Sequence, residues 1–281
     1  MGTALKQGGF TIVETMVVLG ITGTLFLTAF LTIDGKQSST EFYQSIHDIQ
    51  SVISQTISEV NTGYYANTNN FLCNGTGGTI QISSGTNSQG ANNGCIFIGK
   101  AMQFGVNGTS PEQYIIYTIV GLQGSINNLS STLSAAKPTA LAPGASTNTT
   151  PSPFPDASQI GKLNYGLTVA SMNSVDASGT KTPIGTMAFI SSLGNFSGSQ
   201  LQSGSLQTNL MPVSGSALKN STKGAVDNIN NNLATSLVNP ANGIQICFAS
   251  AGTIQSGLIT IGGGGRIGSS TLTIYGTKDC T

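Results

Sequence analysis

The chain has 281 residues, of which 7% are charged, and its ten basic and ten acidic residues give a formal net charge of zero. A neutral chain has no general electrostatic attraction for nucleic acid or for an anionic membrane surface. The 37 glycines and the absence of tryptophan are typical of an exported protein surface rather than a cytosolic one.

The first nine residues form a short hydrophilic segment that carries Lys6 and ends in Gly8 and Gly9. An apolar run from Phe10 to Ile33 follows, and as a helix rising ~1.5 Å per residue it would extend ~36 Å, enough to cross a ~30 Å hydrocarbon core. A secretory signal has its small-residue cleavage site after the apolar stretch, whereas here the glycines come before it. The pattern therefore predicts a leader peptide at 1–9 and a transmembrane helix at 10–33.

Glu14 is the only charged residue in the apolar run. A carboxylate within a spanning helix costs about 2.5–3.5 kcal/mol on insertion scales and usually marks a functional site with a specific partner. Cleavage between Gly9 and Phe10 would create a free amine four residues before Glu14. A lone carboxylate in lipid tends to protonate, whereas a cation close to it favours its charged form.

The sequence Gly9-Phe10-Thr11-Ile12-Val13-Glu14, followed at once by the apolar run, resembles the class III signal of type IV prepilins and of the pseudopilins of type II secretion. The resemblance implies that a membrane-embedded prepilin peptidase cuts after Gly9 and N-methylates Phe10. It also implies that Glu14 meets the terminal amine of a neighbouring subunit. The implied partners are other pilin or pseudopilin subunits, the peptidase, an inner-membrane assembly platform and, before assembly, membrane lipid.

The same resemblance implies a location. The chain is expected to be a single-pass cytoplasmic membrane protein with an extracytoplasmic head, and to reach a pilus or the cell surface after assembly.

After Ile33 the pattern becomes amphipathic and predicts a second helical segment at 34–63. Its apolar side chains recur at steps of three and four and form one stripe that would lie against a globular head: Phe42, Ile46, Ile49, Ile53, Ile57 and Val60. Gly63 offers a stop. His47 is the only histidine of the chain, and with no second ligand nearby it is interpreted as an ordinary helix residue rather than a metal ligand.

Residues 64–281 are predicted to form a β-rich head, so that the fold class is α+β with a long N-terminal helix packed on a pilin-like head. Short runs rich in β-branched and aromatic residues, bounded by Gly, Asn or Pro, predict strands: 79–83, 95–98, 113–120, 163–170, 185–191, 244–249, 258–261 and 271–275. Two biased segments near 124–159 and 195–242 are predicted to be surface insertions, and 225–237 is a candidate short helix within the second.

Four cysteines suit an oxidising compartment, and three pairings are possible. The favoured pairing joins Cys73 to Cys95 and Cys247 to Cys280, because each bridge encloses one local unit and leaves the insertions outside. Each loop would be worth roughly 3–4 kcal/mol in the chain-entropy model. The second bridge would tie the chain end to a strand, as the carboxy-terminal disulfide of many pilins does.

Towards the carboxy terminus, a strand, the glycine run 262–265 with Arg266, and a final strand resemble the end of H-type pseudopilins and related minor pilins. Some of these relatives bind DNA through basic residues near this end, and Arg266 and Lys278 are the possible DNA contacts here. Two charges on a neutral chain predict weak phosphate binding, because affinity depends on the number of phosphates neutralised. No Gly-Lys-Ser or Gly-Lys-Thr follows the glycines, so they do not form a phosphate loop.

The sequence contains no plausible His-based triad and no paired acidic motif with a basic partner, so an enzyme is not predicted, and neither a cofactor nor a metal is expected. The hypothesis is a minor pilin or pseudopilin, because long insertions would be hard to pack at every position of a helical fibre. Two alternatives remain open: an adhesin or DNA-binding tip subunit, and a membrane-anchored surface protein that does not assemble.

Overall fold

A computed structural model describes residues 11–63, 71–76, 79–84, 95–106, 110–122, 124–125, 128–129, 133, 135–141, 158–191, 208–215, 222–235, 240–263 and 268–280. Within these ranges, helices and antiparallel sheets occur together in one chain. The predicted α+β class is therefore confirmed.

The described elements follow one another with a long helix first and strands after it. The helices are α1 (Ile12–Thr62) and α2 (Thr222–Thr235). The strands are β1 (Phe71–Thr76), β2 (Thr79–Ser84), β3 (Cys95–Val106), β4 (Ser110–Leu122), β5 (Gly124–Ser125), β6 (Asn128–Leu129), β7 (Thr139–Leu141), β8 (Ser158–Lys162), β9 (Leu167–Val175), β10 (Lys181–Pro183), β11 (Thr186–Ser191), β12 (Thr208–Pro212), β13 (Ile244–Ser250), β14 (Ser256–Ile261) and β15 (Ser270–Tyr275).

Helix α1 is continuous over 51 residues, which corresponds to about 76 Å at ~1.5 Å per residue. It ends at Gly63, whose φ of 68° is left-handed and whose backbone N–H donates to the carbonyls of Glu59 and Val60. Glycine adopts this conformation without the steric penalty of a Cβ atom. The predicted transmembrane and amphipathic segments thus lie on one uninterrupted helix.

The two larger sheets are antiparallel throughout. One has the strand order β10-β9-β13-β14-β15, and the other has the order β12-β11-β3-β4-β7, with β8 also paired to β4. Strands β3 and β4 are longer than predicted, with 12 and 13 residues, and they pair with each other at the centre of the second sheet.

Buried side chains form two hydrophobic clusters on opposite faces of β11. Met187 and Phe189 belong to the first cluster and Ala188 and Ile190 to the second, as expected when successive strand residues point to opposite sides. The first cluster also contains residues of α1, β3, β9, β13 and β14, including Phe42, Ile46, Ile49, Ile53, Ile57 and Val60. The second contains residues of α2 and β7. The second sheet is therefore buried on both faces.

Described parts of the predicted surface insertions near 124–159 and 195–242 belong to the packed fold. Strands β7 and β12 join the second sheet, and Leu141, Met211 and Ile229 are buried. The polar composition misleads because asparagine side chains here satisfy backbone groups inside the fold. Asn230 Oδ1 accepts from the Ala140 N–H at 2.9 Å. Such bonds allow an Asn-rich helix to pack against a sheet.

The predicted disulfide between Cys247 and Cys280 is confirmed, with the two Cα atoms 5.8 Å apart. It ties the end of the chain to β13. The backbone at Cys73 and Cys95 lies in β1 and β3, whereas their side chains, and so their predicted pairing, lie outside the described residues.

Candidate functional site

The first turn of α1 contains the carboxylate that the sequence singled out. Thr11 is the N-cap residue, with φ −77° and ψ 152°, and its hydroxyl oxygen accepts a hydrogen bond from the Glu14 N–H at 3.2 Å. Glu14 Oε2 in turn accepts from the Thr11 N–H at 3.5 Å. This reciprocal pair is a capping box, which satisfies two backbone donors at the helix start.

The capping box holds Glu14 against the first turn, where the partial positive charge of the helix amino terminus favours an anion. Among the described residues, no cation lies within ion-pair distance of this carboxylate. The Glu14 carboxylate thus accepts a hydrogen bond from the Thr11 N–H. It is exposed and has no neutralising charge in the described part of the chain.

The apolar segment that follows Glu14 is exposed on every side. No residue of Ile12–Ala29 is buried, and the segment is long and apolar enough to cross a membrane. Its most exposed side chains include Ile12, Leu19 and Phe26. Exposed apolar surface of this extent marks a contact site for lipid or protein.

The polar side chains within this segment are satisfied by the helix itself. The hydroxyls of Thr15, Thr22, Thr24 and Thr28 each donate to a backbone carbonyl three or four residues earlier, at 2.8–3.3 Å. A hydroxyl bonded in this way carries little desolvation penalty in an apolar environment. Glu14 is therefore the polar group of this segment that most needs a partner in lipid.

Two glycines of the same exposed segment have free space beside them. An added Cβ atom at Gly20 or Gly23 would meet nothing within 4 Å. Small residues on a membrane helix allow another helix to approach closely, and the enrichment of such residues at helix interfaces in membranes has this origin.

The other half of α1 is held by polar contacts as well as by its apolar stripe. Lys100 of β3 forms an ion pair with Glu59, and both side chains are largely shielded from solvent. Ser45 Oγ donates to the Asn164 carbonyl at 2.8 Å. Sequence reasoning missed this ion pair, because a single lysine on a strand is usually exposed. The apolar residues around Lys100 in β3 were the available signal.

A cleft of about 300 Å³ lies beside the middle of α1 and is lined in part by Asp48, Tyr114 and Lys162. Lys162 Nζ is 3.3 Å from the Glu112 carboxylate. Burial raises the pKa of the Tyr114 hydroxyl. The residues that line the cleft include no histidine.

The remaining predicted site residues are not brought together in the described part of the chain. Gly9, Phe10 and Arg266 lie outside the described residues. Lys278 is exposed in the turn that follows β15, and His47 is exposed on α1. The described residues contain no group of three His, Cys, Asp or Glu side chains that could hold a metal ion.

Comparison of the chain with models of known protein families, with curated protein sequences and with solved structures found no match.

Proposed function

We propose that this chain is a type IV pilin-like structural subunit, a minor pilin or pseudopilin, that is assembled into a pilus or a secretion pseudopilus. A prepilin peptidase cleaves it between Gly9 and Phe10 and methylates the new amino terminus. The membrane then holds α1 as a single span, with the head on the extracytoplasmic side, until the subunit joins the fibre.

One observation carries this proposal: an apolar helical segment that is exposed all round bears a single carboxylate in its first turn. The segment Ile12–Ala29 has no buried residue, and Glu14 is the only charged residue between Thr11 and Ile33. A helix of this kind satisfies its own backbone and can be covered by lipid or by the same segment of other subunits.

The carboxylate fixes the axial alignment of the packed helices. Buried in a bundle of apolar helices, Glu14 is costly unless a cation neutralises it. The amine of Phe10 on a neighbouring subunit supplies the cation, and methylation preserves its charge. Only subunits at the matching axial position bring the two groups together, so mispacked neighbours leave an unpaired charge.

A pilin-like arrangement of the long helix on the β-rich head is part of the proposal. The membership of Phe42, Ile46 and Ile53 in a cluster with sheet residues supports it. So do the Glu59–Lys100 ion pair and the Ser45–Asn164 hydrogen bond. Such contacts transmit the position of the assembled helices to the heads at the fibre surface.

The test compares two substitutions at position 14. Glu14→Ala removes both the charge and the capping bond, whereas Glu14→Gln removes the charge and retains an acceptor for the Thr11 N–H. Both variants should insert into the membrane, as judged by resistance to carbonate extraction, and both should be lost from sheared fibres. Leu19→Ala is the control, because it shortens an apolar side chain in the same exposed segment and keeps Glu14.

The pattern of results separates the explanations. Normal incorporation of Glu14→Gln with loss of Glu14→Ala would assign Glu14 a capping role only. Normal incorporation of both variants would contradict an assembly role for Glu14, and absence of the unaltered chain from sheared fibres would favour a surface protein that is anchored but does not assemble.

A further inference from the structure

The turn at residues 251–255, between β13 and β14, presents an apolar side chain that the described residues leave uncovered. Ile254 is 71% exposed. Hydrogen bonds within the turn define its conformation, because the Gln255 N–H donates to Thr253 Oγ1 at 3.2 Å and the Gly252 N–H donates to Ser250 Oγ at 3.4 Å. The exposure of Ile254 is therefore a feature of an internally bonded turn.

The turn is fixed to α1 just where the exposed half of the helix gives way to the buried half. Ser39 Oγ and Gln255 Oε1 are hydrogen-bonded at 3.0 Å. Gly252 lies against Ser38, whose Oγ would be 3.7 Å from an added Cβ atom. The turn therefore sits at the end of the head that is nearest to the apolar segment.

The length of helix between the apolar run and this turn is a few ångströms greater than the thickness of a lipid headgroup layer. The sequence stays apolar to Ile33, and Ser39 lies about 9 Å further along a helix that rises ~1.5 Å per residue. The headgroup regions add roughly 5–7 Å on each side of the hydrocarbon core. Spanning helices tilt by about 20° on average, and a tilt towards this side of the head lowers the turn to the lipid.

We propose that the 251–255 turn inserts Ile254 into the headgroup layer of the bilayer that α1 spans, so that the head docks on the membrane before assembly. This inference rests on the membrane-anchored state in the proposed function. Docking fixes the tilt of the subunit in the bilayer and so presents the subunits in one orientation.

The charges near the turn assign this contact to apolar insertion. Lys36 and Lys278 are the cations closest in sequence to Ser39 and to the end of β15, and Asp34, Glu41 and Asp279 are the anions. Gly276, which begins the turn that carries Lys278, lines the same small groove as Ser39 and Gln255. Because the cations do not outnumber the anions, docking should need no anionic lipid and should persist at high salt.

The absence of tryptophan from the chain provides a direct test. Ile254→Trp places a single fluorophore at the turn, in the full chain reconstituted into phosphatidylcholine vesicles that contain lipids brominated near the headgroup. Ile160→Trp is the matched control, because Ile160 is 63% exposed. It lies on β8 between Lys162, which lines a cleft with Asp48, and Ser158, whose partner Tyr117 pairs with Ala101 next to Lys100. Asp48 and Glu59, the partner of Lys100, lie about 14 Å and 30 Å beyond Ser39 along α1.

Brominated lipid should quench the Ile254→Trp emission and leave the Ile160→Trp emission unchanged, at low and at high salt. Equal quenching of the two variants in vesicles that carry the protein on flotation would overturn the docking inference and leave the proposed function standing. Loss of quenching at high salt would overturn apolar insertion. Protein that does not float with the vesicles would contradict the anchored state and this inference together.

Discussion

Phe26 and Phe42 lie on the same uninterrupted helix, yet Phe26 is 78% exposed and Phe42 is 1% exposed. In the first half of α1 the apolar residues surround the helix, and in the second half they form one stripe that belongs to the core of the head. A stripe needs one partner surface, whereas a helix that is apolar all round needs a surrounding medium. One helix therefore has two different apolar surfaces, and the described part of the head covers only one of them.

The two glutamates of this helix repeat the contrast. Glu59 is paired with Lys100 within the chain. Glu14 has a backbone hydrogen bond and no cation among the described residues. The second half of α1 thus has an ion pair among the described residues, whereas the first half has a carboxylate without one.

The largest expected difference in stability is between alanine substitutions at the two phenylalanines. Phe42→Ala should lower the free energy of unfolding of the head by about 3–5 kcal/mol, because it deletes a fully buried ring. Phe26→Ala should leave head unfolding unchanged. Denaturant titration of the full chain in detergent measures both. Equal effects of the two substitutions would break the distinction between the halves.

The ion pair gives a second test of how the head holds α1. Lys100→Met leaves Glu59 largely buried without its cation and should cost roughly 3 kcal/mol of head stability. The double variant Lys100→Met, Glu59→Leu removes both charges and should recover most of the loss. If the double variant is no more stable than Lys100→Met, the loss of stability does not come from the unpaired charge of Glu59.

A smaller effect is expected from crowding the contact between helix and sheet. An added Cβ atom at Gly257 would lie 1.8 Å from Ile46 Cδ1, which is buried and has little room to move. Gly257→Ala should cost about 1–3 kcal/mol through overpacking. Gly252→Ala, in the same hairpin, meets Ser38 only at 3.7 Å and should be tolerated. Thermal unfolding of the two variants compares them, and a stable Gly257→Ala would argue against tight packing of α1 there.

The smallest effect is expected at the exposed turn between β9 and β10. A hydrogen bond from the Ser178 hydroxyl, followed by one from the Thr180 N–H, lowers the pKa of Asp176. A lowered pKa contributes stability above the unfolded-state pKa near 3.8, and this is lost as the pH falls through the folded-state pKa. Asp176→Asn should be slightly less stable than the parent at pH 7, and the difference should vanish in acid. A difference that persists unchanged in acid would contradict this assignment.

The sequence was most informative where one physical pattern dominated. The six apolar positions from Phe42 to Val60 are all buried, because their spacing leaves a helix only one apolar face. The Cys247–Cys280 bridge also followed from the local unit that it closes. The stripe depends on residues that are close in the sequence, and the bridge closes a unit of three consecutive antiparallel strands, β13, β14 and β15.

Sequence reasoning failed where distant pairing decides the structure. Strand β12 comes from Ser- and Asn-rich sequence and was not predicted, because it depends on pairing with β11. The candidate helix at 225–237 is present as α2, but its burial against the second sheet was not predicted. The Lys100–Glu59 pair joins residues 41 positions apart, and although apolar residues surround Lys100 in β3, no local pattern identifies Glu59 as its partner. The turn at 251–255 reads as an ordinary hairpin loop, and only its bond to Ser39 places it at the end of the head nearest the apolar segment.

The most direct test of the account is the amino-terminal sequence and intact mass of the protein recovered from its native cells. We expect a chain that begins at N-methylated Phe10, four residues before Glu14. A chain that still begins at Met1, or one cut beyond Ile33, would contradict processing by a prepilin peptidase and, with it, assembly through the first half of α1.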